Sequence, residues 1–132
     1  MKKSLTFLLA LTFLFLFSGS SVVFADDFQD GLDAYDRKDY QEAVKWFRLS
    51  AEQGDANAQS NLGKVYHNGQ GVPQDYVLAH MWWNICGSSG DKDCVKNRNI
   101  VEKEMSPSQI EKAQDIARNW KLYVVKRICA KS

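Results

Sequence analysis

Ala43-Val44-Lys45-Trp46-Phe47-Arg48-Leu49-Ser50-Ala51-Glu52-Gln53-Gly54-Asp55 returns in altered form as Ala79-His80-Met81-Trp82-Trp83-Asn84-Ile85-Cys86-Gly87-Ser88-Ser89-Gly90-Asp91. Each stretch reads Ala-x-x-Trp-aromatic, then a small residue, then Gly-Asp. The offset is 36 residues at Asp39/Asp75, Tyr40/Tyr76, Ala43/Ala79, Trp46/Trp82, Gly54/Gly90 and Asp55/Asp91. Self-similarity at this period is the signature of stacked supersecondary units, a solenoid. Such folds present long surfaces, which directs attention to binding before chemistry.

Outward from the repeat, the chain reads as helices throughout. Phe28, Leu32 and Tyr35 recur at i, i+4 and i+7, the stripe of a short amphipathic helix. Asp39 is placed to cap a second helix over Tyr40 to Gln53, with Ala43, Trp46, Phe47 and Ser50 or Ala51 facing inward. Gly54 ends it in the left-handed conformation that glycine adopts without strain. Asp55 caps a third helix, Ala56 to Asn68, and Asp75 a fourth, Tyr76 to about Ser88. A fifth is expected over Lys92 to Glu104. Ser106-Pro107-Ser108-Gln109 opens a sixth, reaching toward Ile128, with Pro107 in the first turn and Gln109 closing a capping box. Trp and Tyr on one helix opposite Ala and Gly on the next is the pattern of a close-packed all-α core.

The N-terminus has a different character. Met1-Lys2-Lys3 is basic, Leu5 to Phe17 is apolar but for Thr6 and Thr12, and Val23-Phe24-Ala25 offers a peptidase site. Residues 1–25 therefore read as an export signal cleaved after Ala25. The apolar run is shorter than the ~20 residues that span a bilayer, so no membrane span is expected after cleavage. The protein is expected to be periplasmic or secreted. The full chain carries 17 Lys and Arg against 16 Asp and Glu. Loss of Lys2 and Lys3 would leave 15 against 16, a net charge of −1, which argues against a nucleic-acid partner.

Ala56-x-Ala58-Gln59-x-x-Leu62-Gly63-x-x-Tyr66-x-x-Gly69-x-Gly71-Val72-x-x-Asp75-x-x-x-Ala79-x-x-Trp82 resembles one full Sel-one-like repeat, a relative of the tetratricopeptide repeat. The resemblance divides the remaining chain into three parts. Residues 26–54 are similar to a degenerate, tetratricopeptide-like first repeat that lacks the Gly-x-Gly-Val turn. Residues 55–90 are the full repeat, and residues 91–132 a closing half-repeat with a C-terminal capping helix. It implies a short right-handed α/α solenoid whose concave face is lined by the first helix of each pair. It further implies a non-catalytic adaptor that binds a protein or peptide. In that frame Gly63 admits a close helix approach, Gly69 and Gly71 relax the turn, and Val72 plugs its underside.

Cys86 and Cys94 occupy the places of Ser50 and Ala58 one repeat earlier, on either side of a helix–helix turn. Their Cys-x7-Cys spacing is similar to the exported, cysteine-rich branch of the family, which implies a disulfide and leaves Cys129 outside it. That branch also supplies the alternative function, a β-lactam-binding or β-lactam-hydrolysing enzyme. Ser89-Gly90-Asp91-Lys92 satisfies Ser-x-x-Lys, but a β-lactam site needs that Ser and Lys one turn apart on a helix, and Gly-Asp interrupts it. No Ser-Asp-Asn or Lys-Thr-Gly follows, so no catalytic residue is assigned. His67 and His80 have no carboxylate at ligand spacing, so no metal is expected. Gly69-x-Gly71 lacks the third glycine and lysine of a phosphate loop, and no cofactor is expected.

Two surfaces stand out. At 100° per residue, Asn57, Ser60, Asn61, Lys64, His67 and Asn68 lie opposite the Leu62/Val65/Tyr66 stripe. The matching positions in the next unit are Asp93, Lys96 and Asn97. This strip is the candidate peptide-binding face, with asparagines suited to clamp an extended backbone. On the last helix, Ile116, Trp120, Tyr123 and Val124 form a stripe expected to cap the core. Leu122, Val125 and Cys129 form a second stripe on the opposite side, among Lys121, Lys126 and Arg127. A capping helix needs one apolar face, so the second is a candidate surface for self-association or a partner.

Overall fold

The computed structural model of the chain describes residues 23–130. The expected signal segment therefore lies almost wholly outside the described residues. Among those described, the elements are all helical: α1 Val23–Asp36, α2 Tyr40–Glu52, α3 Ala56–Asn68, α4 Tyr76–Gly87, α5 Lys92–Val101, a 3-10 turn Glu102–Glu104 and α6 Pro107–Cys129. The sequence period is a period in space, since α2 and α4 begin 36 residues apart, as do α3 and α5. Each helix from α1 to α5 packs on the next, and α6 folds back onto α4. The chain is thus an all-α helical-repeat solenoid.

The boundaries follow from the caps. Asp39, Asp55, Asp75 and Asp91 each accept a hydrogen bond from the backbone N–H of the first turn that follows. Ser106 and Gln109 bond reciprocally, Gln109 N–H to Ser106 Oγ and Ser106 N–H to Gln109 Oε1. Each such cap stabilises its helix by about 1 kcal/mol. The turn after α3 needs its glycines. Gly71 has φ +72°, and a Cβ there would land on the Tyr40 carbonyl, because the turn rests on the start of α2. Tyr35 of α1 closes the same corner by donating to Gln70 Oε1 at 3.2 Å.

The fifth helix departs from its expected extent. It is α-helical only to Val101 and tightens into the 3-10 turn. The tightening delivers an extended, buried Met105 to the core before Ser106 starts α6. The first helix begins at Val23, before the expected mature start at Asp26.

Large side chains meet small ones along the stack. Ala34, Ala43, Ala58, Ala79 and Ala113 are wholly buried, alongside Phe47, Leu62, Trp82 and Trp83. The closest approaches fall at glycines: Gly31 against the Phe47 ring, and Gly63 against the indole of Trp83. Trp83 is fixed there by its Nε1–H, which donates to the Ser60 carbonyl at 3.2 Å. Trp82 meets Trp120 of α6 edge to face at 5.1 Å, so the last helix caps the core through Trp120 and Ile116 as the first stripe predicts. Tyr123 and Val124, which extend that stripe, have side chains outside the described ones. Trp46 differs from its repeat mate. It was expected inward with Ala43 and Phe47, yet it is only half-buried, whereas Trp82 is 4% exposed. Trp82 is covered by the returning α6, and among the described residues α2 has no third helix packed across it in this way.

Cys86 at the end of α4 and Cys94 in the first turn of α5 form a disulfide, with Cα atoms 5.8 Å apart. The loop it closes is short, and in the chain-entropy picture the link stabilises by roughly 2.5 kcal/mol. Cys129 is exposed and takes no part in this bridge.

Gly63→Ala is expected to destabilise the protein in spite of alanine's better helix propensity. The new methyl would overlap a ring held in place by a hydrogen bond, and overpacking of this kind costs roughly 1–3 kcal/mol. Urea unfolding followed by circular dichroism measures it; a midpoint equal to or above wild type would show that Trp83 is free to withdraw.

Candidate functional site

A groove of about 570 Å³ is lined by residues of α3 and α5, with Phe28 of α1 at its edge. Asn57, Ser60, Asn61 and Lys64 line it from α3; Asp93, Lys96 and Asn97 from α5; Asp91 and Phe28 complete the ends. The polar strip and its repeat mates thus share one trough. Its walls are exposed or half-buried on helices whose other faces carry Leu62, Val65, Cys94 and Val101, all fully buried. Packing fixes the backbone, and the helical period then points these side chains into the trough. Asn61 Nδ2 donates to the Asn57 carbonyl at 3.0 Å, which leaves its Oδ1 as an acceptor toward the groove. No ion pair of Lys64, Lys96 or Asp93 is formed within the described residues.

The remaining strip residues lead into a second hollow of about 230 Å³, lined by Lys64, His67, Asn68, Trp83, Asn97 and Ile100. Lys64 and Asn97 belong to both, so the two hollows are neighbours. Here the strip changes character. The His67 ring stacks on Tyr76 at 5.3 Å and lies 5.7 Å from Trp83, while its Nδ1 is 3.0 Å from Asn68 Oδ1. Ile100 is 48% exposed beside them. Sequence phasing found the α3 wall but missed Trp83 and Ile100, because they come from two other helices. The repeat itself held a signal for one of them: Ile100 is the mate of Lys64, an apolar residue on a face expected to be polar.

His80 was expected to have no carboxylate nearby, and the fold corrects this. Its ring is fully buried, and Nε2 lies 2.7 Å from Glu102 Oε1. Arg98 extends the cluster, donating from Nη1 to Asn84 Oδ1 at 3.0 Å and passing 3.9 Å from Glu102. His80 Nδ1 has no hydrogen-bond partner among the described residues. The cluster joins α4 to the 3-10 turn, a contact 22 residues apart in sequence that no spacing rule reveals.

The Ser-x-x-Lys match is split in the fold as its glycine suggested. Ser89 Oγ donates to the Cys86 carbonyl at 2.6 Å, and Gly90 at φ +100° separates it from α5, where Lys92 begins. Donor atoms of Cys86, Asp91 and Cys94 lie within 4.8 Å of one another. The sulfurs are bonded to each other and the Asp91 carboxylate accepts from the Cys94 N–H, so disulfide and helix cap account for the cluster. On α6, Leu122 is 61% exposed and Cys129 is also exposed; the side chain of Val125 lies outside the described ones. No helix among the described residues is long and apolar enough to cross a membrane.

Comparison with known proteins agrees with the geometry. No curated protein matches the chain. A protective antigen present in uropathogenic Escherichia coli strains, whose crystal structure displays an SLR fold, superposes with a TM-score of 0.71 at 33% identity. The likeness covers 74% of this chain but 22% of that one, so this chain spans about a fifth of the antigen's length. The Sel1 repeat family matches residues 28–55 and 56–91, the two units of the 36-residue period. The chain is a Sel1-repeat protein.

Proposed function

We propose that this protein is an exported, non-catalytic interaction module that holds an extended peptide or protein segment in the groove across α1, α3 and α5. Sel1 repeats generally mediate protein interactions, which supplies the broad class. The observation that carries the specific reading is the meeting of Asn57, Asn61 and Asn97 with Lys64 and Lys96 in one trough on rigid helices. An extended backbone has carbonyls and N–H groups at regular spacing, and an asparagine amide both donates and accepts. Sidewall amides one helical turn apart on α3, faced by Asn97 on α5, therefore match a segment that forms no secondary structure of its own.

Random linear peptides panned on the immobilised chain should yield binders. Replacing Asn61 and Asn97 together by alanine should weaken them on the order of tenfold, the sum of two lost neutral hydrogen bonds. Retained affinity in a variant with unchanged circular dichroism would move the site elsewhere.

Export is supported by the disulfide, which persists in oxidising compartments, and by the character of residues 1–25. The intact mass of protein recovered from the periplasm or medium should fit a chain starting at Asp26 with one internal disulfide. A mass retaining residues 1–25 would contradict cleavage.

The non-catalytic reading rests on the Ser89 hydroxyl, which donates to the Cys86 carbonyl and is hydrogen-bonded to no side-chain base among the described residues. The purified protein should leave a chromogenic β-lactam intact. Turnover that disappears in Ser89→Ala would establish the enzymatic alternative.

A further inference from the structure

We infer that the groove selects its segment by an alternating pattern: a basic side chain, then an acidic one, then a large apolar one, each two residues from the next along an extended chain. This rests on the peptide-binding reading of the groove and specifies the ligand.

The pattern follows from the order of groups along α3 and α5. At the N-terminal end of α5 the trough carries Asp91 and Asp93. Asp91 is engaged as a helix cap, while Asp93 forms no ion pair among the described residues. About one helical turn further along α5 stands Lys96, with Lys64 of α3 on the opposite side of the trough, both likewise without an ion pair among those residues. Beyond them the trough opens into the hollow floored by Trp83, with His67 and Ile100 as its sides. The three zones therefore read acidic, basic and apolar in that order.

Spacing converts the order into a sequence rule. A helix rises about 1.5 Å per residue, so Asp93, Lys96 and Ile100, three and four residues apart along α5, are separated by roughly 4.5–6 Å, and flexible side chains widen that span. Two residues of an extended chain cover about 7 Å and bring side chains back to the same face. Residues i, i+2 and i+4 of one segment therefore meet the three zones, while the intervening side chains point to solvent. The complement is a base on Asp93, a carboxylate between Lys64 and Lys96, and an aliphatic or aromatic side chain against Trp83 and Ile100. Ile100 supports the apolar zone independently of the charges. It is half exposed beside the largely buried Trp83, and an apolar side chain laid over it takes its surface out of water.

Capped synthetic peptides test the rule with the full-length processed protein. The probes are Gly-Lys-Ser-Asp-Ser-Leu-Gly and its reversed sequence, which together allow either chain direction, each carrying a fluorescent label read by anisotropy. Controls exchange the Lys and Asp, or replace Leu by Ser. One of the two probes is expected to bind on the order of tenfold more tightly than both of its controls, less so at high salt. Ile100→Ser should remove the advantage of Leu over Ser and leave the charge preference. A Lys64→Glu, Lys96→Glu variant should abolish or reverse the charge preference and leave the Leu preference. Ile100, Lys64 and Lys96 stand at the surface, so folding is checked by circular dichroism. Equal affinity for patterned and control peptides, alongside panned peptides that still depend on Asn61 and Asn97, would overturn this rule and keep the groove. Failure of every peptide, panned or designed, would remove the peptide-binding reading and the rule together.

Discussion

The contact of Trp83 with Gly63 sets the rest. An indole ring lies on bare backbone, tied by one N–H to the Ser60 carbonyl of the same helix. A side chain at position 63 would force α3 and α4 apart. With glycine there, the two helices close to a distance that buries Leu62, Val65 and Trp82 on one side. On the other side, the same ring reaches through the layer and becomes the floor of the hollow beside His67 and Ile100. One residue pair thus serves both the core and the proposed binding surface. Substitutions at this contact would couple stability to recognition, and the two effects separate only at surface positions such as Ile100.

Much of this architecture was legible because it is written in local chemistry. Aspartates at the start of four helices, glycines at their ends and the Ser106–Gln109 box mark boundaries through bonds between near neighbours. The polar strip on α3 was legible for a related reason: its inward face is fixed by Leu62, Val65 and Tyr66, so its outward face follows from the 3.6-residue turn. What escaped the sequence depends on contacts between distant elements. The His80–Glu102–Arg98 cluster requires the 3-10 turn to return under α4, and the turn itself comes from the demand to bury Met105. The half-exposure of Trp46 reflects coverage. Similar motifs in two repeats meet different neighbours, since α6 lies over Trp82 and no counterpart among the described residues lies over Trp46.

The charge distribution links the fold to its surface. The four capping aspartates are consumed in helix starts, so their negative charge offsets the positive helix termini and contributes less to the exterior field. Asp93 sits one residue into α5, past the cap, and projects into the trough instead. The lysines of the groove have no partner to neutralise them among the described residues, and a surface of this kind keeps its charges available to a ligand at modest desolvation cost.

The Cys86–Cys94 bridge also makes the solenoid mechanically uneven. In stacked repeats each unit is held only by its neighbours, so opening starts where the links are fewest. The covalent tie joins α4 to α5, and α6 is clamped on α4 through Trp120, which turns the C-terminal half into a single plate. At the homologous place between α2 and α3 stand Ser50, buried with its hydroxyl unpartnered among the described residues, and Ala58. The N-terminal pair is therefore the soft end. Thermal breathing would peel α1 and α2 away first, while one wall of the groove, α5, remains anchored. A ligand that bridges α3 and α5 while touching Phe28 of α1 would act as a non-covalent counterpart of the missing bridge, slowing amide exchange in α1 and α2 more than in the half that is already stapled.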